Sequence, residues 1–154
     1  MRVAVAGTFG PVHDGHRRLF ETALELGTDG VVVGLTSDAF ASESRDRDVP
    51  SFETRERVLK RELTDMNLWG RPIEIRKIAS EDAFAATEQD LDALVVSPET
   101  YPETEEINET RRENDLNQLL VVVSPFVRDA DGERLSSTRI VEGEVDEHGA
   151  AAPS

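Results

Sequence analysis

The chain has 154 residues, of which 32 are acidic and 17 basic, so its formal net charge at pH 7 is −15. That length suits one domain with a substantial hydrophobic core, and the acidic excess disfavours nucleic acid and anionic membranes as partners. Cysteine is absent, which excludes disulfides and thiolate chemistry. No apolar stretch approaches the roughly 20 residues that a membrane-spanning helix requires, so we expect a soluble, cytoplasmic protein.

The basic residues are unusual in type as well as in number. Lys60 and Lys77 are the only lysines among the 17 basic residues. An acidic, lysine-poor composition is typical of proteins from a high-salt cytoplasm, where charges are screened over about 3 Å at molar ionic strength. We therefore predict a halophilic source, with an acidic mesophilic protein as the alternative. Any phosphate ligand would need a locally positive pocket.

Continuous apolar runs, typical of buried strands, alternate along the chain with segments whose apolar residues have helical spacing. The first strand is predicted at residues 3–6, and a Gly- and Pro-containing loop leads from it into a helix at residues 15–26. A strand at residues 30–36 and a helix at residues 52–66 follow, the latter capped by Ser51 or Thr54. Next come strands at residues 72–79 and 93–97, a helix at residues 103–114, a strand at residues 119–124 and a short helix from about residue 136.

This order predicts an α/β protein with a Rossmann-like, open, mostly parallel sheet of five strands and helices on both faces. Residues 1–141 are predicted to form the domain, and residues 142–154 an acidic, flexible tail. In an open parallel sheet, ligands bind beyond the carboxyl ends of the strands. The loops that follow the predicted strands are therefore the places to look for a site.

The loop after the first predicted strand contains two of the three histidines, His13 and His16. They stand three positions apart at the start of a predicted helix, whose unpaired backbone N–H groups and dipole attract anions such as phosphate. Gly15 between them would let a nucleotide approach the backbone closely. Two ordinary surface histidines, or a zinc site completed by carboxylates, are the alternatives.

A second polar group opens the last predicted helix, and it consists of Ser136, Ser137, Thr138 and Arg139. Serine and threonine are favoured helix caps, which is its simplest interpretation. Because the group follows the last predicted strand, it would also lie at the same edge of the sheet as the histidine loop. Its hydroxyls, helix N–H groups and guanidinium could there bind a polyphosphate.

Together these groups resemble the nucleotidylyltransferase superfamily, which is marked by an H-x-G-H motif after the first strand and an S-S-T-x motif opening a late helix. The motifs stand here as HDGH at residues 13–16 and SSTR at residues 136–139. The segments GTFGPVHDGH, VGLTSDAFA, LVVSPET, INETR and LSSTRIVEGEVD look like the archaeal family of phosphopantetheine adenylyltransferases. The similarity runs from Gly7 to about Asp146.

The resemblance implies transfer of AMP from ATP to 4'-phosphopantetheine, giving dephospho-coenzyme A and pyrophosphate in coenzyme A biosynthesis. It implies that Mg²⁺ assists, carried mainly by ATP phosphates and water rather than by a protein site. It also implies small molecules as the only partners, and a monomer.

For individual residues, the resemblance implies that His16 stabilises the transition state and that His13 contacts the phosphates. Thr8 and Phe9 would lie between nucleotide and acceptor, and Gly15 would belong to the nucleotide-binding set. The nucleotide-binding set would be completed by Ser136, Ser137, Thr138 and Arg139. Asn108 and Arg111 are implied as further substrate-binding residues.

The chain departs from the family pattern at two positions. Gly10 stands where the family usually has aspartate, and Glu43 stands where it commonly has a lysine. If that lysine binds the acceptor phosphate, Arg45 or Arg47 replaces it here, or the acceptor differs. The alternatives are therefore adenylyl or cytidylyl transfer to nicotinamide mononucleotide, flavin mononucleotide or glycerol phosphate, and a non-catalytic nucleotide-binding protein of the same fold.

Overall fold

The structure is a computed structural model, and it describes residues 1–44 and 49–125. In this part of the chain, strands and helices alternate. The strands are β1 (Arg2–Gly7), β2 (Gly30–Thr36), β3 (Ile73–Ile78), β4 (Ala93–Val96) and β5 (Leu120–Val123). The helices are α1 (Asp14–Leu26), α2 (Asp38–Ser44), α3 (Phe52–Met66), α4 (Glu81–Thr87) and α5 (Thr104–Glu113), with a 3₁₀ turn at Tyr101–Glu103 before α5.

The strands form one sheet in the order β3-β2-β1-β4-β5, and every pairing between neighbours is parallel. β1 is central, and its Val3 pairs with Val31 on one side and with Ala93 on the other. The predicted Rossmann-like fold is confirmed. The edge formed by the carboxyl ends of β1 and β2 is where the candidate site lies.

Alternate residues of each strand face opposite sides of the sheet, and each side is covered by its own pair of helices. On one side Val3 and Val5 belong to an apolar cluster that includes residues of α1 and α3. On the other side Ala4 belongs to a cluster with residues of α4 and α5. Burial of apolar surface on both faces explains why the central strands read as continuous apolar runs.

The helix α3 begins and ends at the residues expected from its apolar spacing. Ser51 is its N-cap, with its hydroxyl accepting a hydrogen bond from the Thr54 backbone N–H at 3.3 Å, so the first of the two predicted caps is the one used. Leu59 and Leu63 of its apolar face are buried. Val58 is 39% exposed, and it lines a cavity of about 170 Å³ between α3 and the loop containing Phe9 and Pro11.

Two helices, α2 and α4, were not predicted. Each has seven residues, which is two turns and too short to show a clear apolar period. The sequence pattern placed β3 directly before β4, but two parallel strands of one sheet need a crossover connection between them. The helix α4 supplies that crossover and packs Phe84 against the sheet.

A group of carboxylates surrounds Glu103 at the start of α5. Although Glu103 is exposed, its partial desolvation raises its pKa, and the nearby charges of Asp82, Glu99 and Glu106 raise it further. A carboxyl whose pKa is raised on folding favours the folded state below its ordinary pKa, and this contribution is lost as the pH rises through the raised value. At neutral pH the ionised Glu103 is therefore unfavourable to folding.

We expect Glu103→Gln, which mimics the protonated carboxyl, to raise the melting temperature at pH 7 in low salt. Repulsion from the neighbouring carboxylates is screened by salt, so the gain should be smaller at molar ionic strength. Thermal melts at several salt concentrations check this, with Glu105→Gln in the first turn of α5 as the matched control. An equal or larger effect at Glu105, or no gain at Glu103, would contradict the assignment.

Candidate active site

The candidate site begins where β1 ends. Gly7 of β1 pairs in register with Leu35 of β2, so the next residues of the two chain segments, Thr8 and Thr36, lie side by side. Their hydroxyl oxygens are 2.8 Å apart, and both side chains are buried. From Thr8 the chain continues through residues 9–13 into α1, which places the N-terminus of that helix at the same edge of the sheet.

His13 and His16 form a reciprocal cap at the start of α1. His13 is the N-cap residue, and its Nδ1 accepts from the backbone N–H groups of Gly15 at 3.0 Å and His16 at 3.4 Å. In return, the His16 Nδ1 accepts from the His13 backbone N–H at 3.3 Å. This is the geometry of a capping box, with imidazoles in place of the usual serine and glutamate.

The cap fixes which nitrogen of each ring carries the proton. Because each Nδ1 acts as an acceptor, a neutral ring must carry its proton on Nε2, which makes Nε2 a hydrogen-bond donor. The two rings stack with centroids 3.8 Å apart and an angle of 19° between their planes. Two donors are thus held in parallel at the positive end of a helix dipole, an arrangement suited to phosphate oxygens.

Aromatic packing holds the second ring in place. Phe9 meets the His16 ring edge-on at 5.0 Å between centroids, and it also contacts Phe20 of α1 at 5.0 Å. Phe9 is buried and has a positive φ of 48°, a conformation that a bulky side chain rarely adopts. Phe9 therefore packs against the His16 ring and restricts the rotation of that imidazole.

The structure gives a second reason for glycine at position 15, which the sequence did not reveal. A Cβ atom at this position would lie 2.7 Å from Cε1 and 2.9 Å from Nδ1 of His13. The prediction was that glycine lets a nucleotide approach the backbone, and the placement at the helix N-terminus leaves that prediction standing. The glycine also makes room for the capping ring itself.

A buried arginine that was not among the predicted site residues lies beneath this loop. Arg55 of α3 is 1% exposed. Its guanidinium donates to the carbonyl oxygens of Pro50 and Thr8, at 2.8 and 3.1 Å. It also donates to the Thr36 hydroxyl at 3.4 Å and pairs with the Asp38 carboxylate at 3.1 Å.

A signal for Arg55 was present in the sequence. The buried positions of α3 are Phe52, Arg55, Leu59 and Leu63, which follow helical spacing. An arginine within an apolar stripe is an exception that calls for a buried partner, because an unpaired charge is costly inside a protein. The partner groups belong to other elements, however, and their identity needed the tertiary structure.

Asn108 and Arg111 were predicted to bind substrate, and the structure places them elsewhere. Arg111 is fully buried, and its guanidinium donates to the carbonyl oxygens of Ala85, Glu88 and Asn117. Asn108 exchanges hydrogen bonds with the backbone of Leu119. These partners precede β4 and β5, so both residues lie at the amino ends of the strands, opposite the histidines. We assign both to the stability of the fold.

Some of the other predicted site residues lie in the part of the chain that the structure describes, and the rest lie outside it. Thr8, Phe9, His13, Gly15 and His16 are brought together at one edge of the sheet. Arg45 and Arg47 lie outside the described residues, as do Ser136, Ser137, Thr138, Arg139 and the boundary at residue 141. Their roles stay predictions.

In residues 1–44 and 49–125, no cluster of three or more His, Asp or Glu side chains has the arrangement of a metal site. Among the same residues, no helix combines the length and the apolar character needed to cross a membrane.

An all-parallel α/β sheet with a histidine-capped helix N-terminus at the carboxyl end of its first strand is the arrangement that the resemblance to nucleotidylyltransferases predicts. The sequence model of the family described as cytidylyltransferase-like matches residues 4–143, and the chain belongs to that family.

Relatives and a solved structure agree with this assignment. The chain is 46% identical over 148 residues to the phosphopantetheine adenylyltransferase of Methanopyrus kandleri, covering 95% of this chain and 91% of the relative. It is 40% identical to the enzyme of the same name from Methanosarcina acetivorans, covering 96% and 94%. A crystal structure of a protein of unknown function from Archaeoglobus fulgidus superimposes with a TM-score of 0.68 at 36% identity, covering 80% of this chain and 88% of that one.

Proposed function

We propose that the chain is an adenylyltransferase that moves AMP from ATP to 4'-phosphopantetheine, giving dephospho-coenzyme A and pyrophosphate. The observation that carries the proposal is the pair of capped imidazoles at the N-terminus of α1. The acceptor is supported by archaeal relatives that bear this activity in their names and match this chain over nearly its whole length.

In the proposed reaction, a phosphate oxygen of the acceptor attacks the α-phosphorus of ATP. The bond from the α-phosphorus to the bridging oxygen breaks, and pyrophosphate departs with the electron pair. Negative charge builds on the α-phosphate and the leaving group, so the protein needs only to hold the reactants in line and to neutralise that charge. The Nε2–H groups of His16 and His13, held at the positive end of the α1 dipole, are the described donors for this task.

We further propose that Mg²⁺ enters with ATP, held by the phosphates and by water, as is usual for this ion in nucleotide-dependent enzymes. Ser136, Ser137, Thr138 and Arg139 are proposed to bind the triphosphate, and Arg45 or Arg47 to contact the acceptor. The acidic, lysine-poor composition supports a cytoplasmic enzyme adapted to high salt. A monomer is proposed as the active form.

The test is pyrophosphate release from ATP and Mg²⁺ at high salt, with four acceptors in parallel: 4'-phosphopantetheine, nicotinamide mononucleotide, flavin mononucleotide and glycerol 3-phosphate. We expect turnover with 4'-phosphopantetheine alone. Turnover with another acceptor would overturn the acceptor assignment and leave the reaction class intact. No pyrophosphate release with any of the four acceptors, while ATP still binds, would favour a non-catalytic nucleotide-binding protein.

A further inference from the structure

Arg55 is a buried charge at the edge of the candidate site, and neither the motifs nor the proposed chemistry assigns it a role. Its guanidinium lies between the end of β1, the end of β2 and the segment before α3, and it binds groups from all three. Removing a charge from water costs free energy. The arrangement therefore has to provide something that an apolar residue at position 55 would not.

The first effect is on the loop that begins at Thr8. Arg55 fixes the Thr8 carbonyl directly, and its aliphatic stem packs under Gly10. A Cβ atom at residue 10 would lie 2.9 Å from Cδ of Arg55, closer than ordinary contacts. Glycine at position 10 therefore leaves room for the arginine stem, because a Cβ there would require the stem to shift.

The second effect is on the direction of two hydroxyl protons. The Thr36 oxygen accepts from Arg55, and Thr36 lies 2.8 Å from the Thr8 oxygen. If Thr36 donates its own proton to Thr8, the Thr8 proton is left to point toward a ligand. Both threonines are buried, at 3% and 0% exposure, so their orientation is set by these neighbours more than by bulk water.

The third effect is electrostatic. Arg55 is 1% exposed, whereas the side chain of its partner Asp38 is 58% exposed. Water screens the carboxylate far more than the guanidinium, so the pair does not cancel at the buried end. In a chain of net charge −15, this leaves positive potential at the carboxyl ends of β1 and β2.

We propose that Arg55 is a positioning residue for the phosphate of the bound acceptor: through Thr36 it makes Thr8 a hydrogen-bond donor toward that phosphate, and it supplies the local positive potential. This inference rests on the proposed function in taking a phosphorylated acceptor as the ligand. Arg55 acts through Thr8 and is not itself a group that contacts the reacting atoms.

The test compares the affinities for 4'-phosphopantetheine and for pantetheine, which lacks the phosphate, by calorimetry. A purely structural role of Arg55 would weaken both ligands alike, whereas the proposed role weakens only the phosphorylated one. The variants are Arg55→Met, which keeps the stem but removes the charge, Arg55→Lys, and Thr36→Val, which removes the relaying hydroxyl. Arg111→Lys is the matched control, because that arginine is equally buried among carbonyls at the opposite edge of the sheet.

We expect Arg55→Met to lower the affinity for 4'-phosphopantetheine roughly tenfold or more, since hydrogen bonds to charged groups are of that strength, and to leave pantetheine binding unchanged. Thr36→Val should lower the same affinity by a smaller factor, and Arg55→Lys should restore part of the loss. Arg111→Lys should leave the ratio of the two affinities as in the unmodified chain. A parallel loss for both ligands, or an unchanged ratio in Thr36→Val and both Arg55 variants, would overturn the inference.

Failure of the proposed acceptor is distinguishable from failure of this inference. If the unmodified chain does not bind 4'-phosphopantetheine, the acceptor assignment falls. The same variants are then compared for ATP against adenosine, because a phosphate near Thr8 is common to both substrates. A ratio insensitive to Arg55 in that comparison as well would overturn the role of the arginine. If Arg55→Met does not fold, Thr36→Val and Arg55→Lys carry the test.

Discussion

Replacement of His16 by alanine is expected to lower kcat by about 100- to 1000-fold, the loss typical when one preorganised donor to a developing charge is removed. The His16 ring is fixed by Phe9 and by its own bond to the His13 backbone N–H, so its Nε2–H is already oriented before substrate binds. An interaction made mainly in the transition state lowers kcat and kcat/KM together. We therefore expect the KM for ATP to change little.

His16→Gln separates the catalytic loss from the structural one. Glutamine is a standard residue at the third position of a capping box, so this variant should keep the bond to the His13 backbone while losing the imidazole. It should be as inactive as His16→Ala but more stable. His148→Ala, at the one histidine outside the motif, should retain full activity. Steady-state kinetics and thermal melts check these expectations, and an active His16→Gln would contradict the assignment.

Replacement of His13 should give the second largest effect, and its two roles can be separated. His13→Ala removes the cap and the ring, which should cost about 1 kcal/mol of stability and lower kcat/KM for ATP about 100-fold. Asparagine is one of the best N-cap residues. His13→Asn should therefore restore most of the stability by accepting from the Gly15 and His16 N–H groups, while activity stays low.

Melting temperature and kcat/KM are measured for the two variants side by side. Recovery of activity together with stability in His13→Asn would mean that His13 serves only as a cap. Equal instability of the two variants would mean that the capping box is not formed in solution. The expected split, stability restored and activity not, assigns the Nδ1 of His13 to the helix and its Nε2 to the phosphates.

Much of the fold was accessible from the sequence because it depends on local apolar spacing. The bounds of β2 and α3 match their predictions, since one is a continuous apolar run and the other a long helix with a capping serine. The short helices α2 and α4 were missed because seven residues carry too little periodicity. The parallel order of β3 and β4 implied a connection like α4, but it became evident only with the strand order.

For the candidate site, too, some residues could be predicted from the sequence and others could not. His13, Gly15 and His16 were predicted together because they are close in sequence and a helix N-terminus has a known preference for anions, while Thr8 and Phe9 were added by the family resemblance. Asn108 and Arg111 were misplaced because resemblance marks a position without saying which end of the sheet it occupies. α5 starts after the carboxyl end of β4 and runs toward the amino end of β5, so its later residues lie far from the histidines.

The sequence by itself determined the class of fold, the central strands and the histidine motif, because these follow from local periodicity and from groups a few residues apart. Only the tertiary structure decided what Arg55 contacts, since its partners Thr8, Thr36 and Asp38 come from segments 17 to 47 residues away. A buried charge is defined by the groups that surround it, and those groups meet only when the parallel register brings the ends of β1 and β2 together.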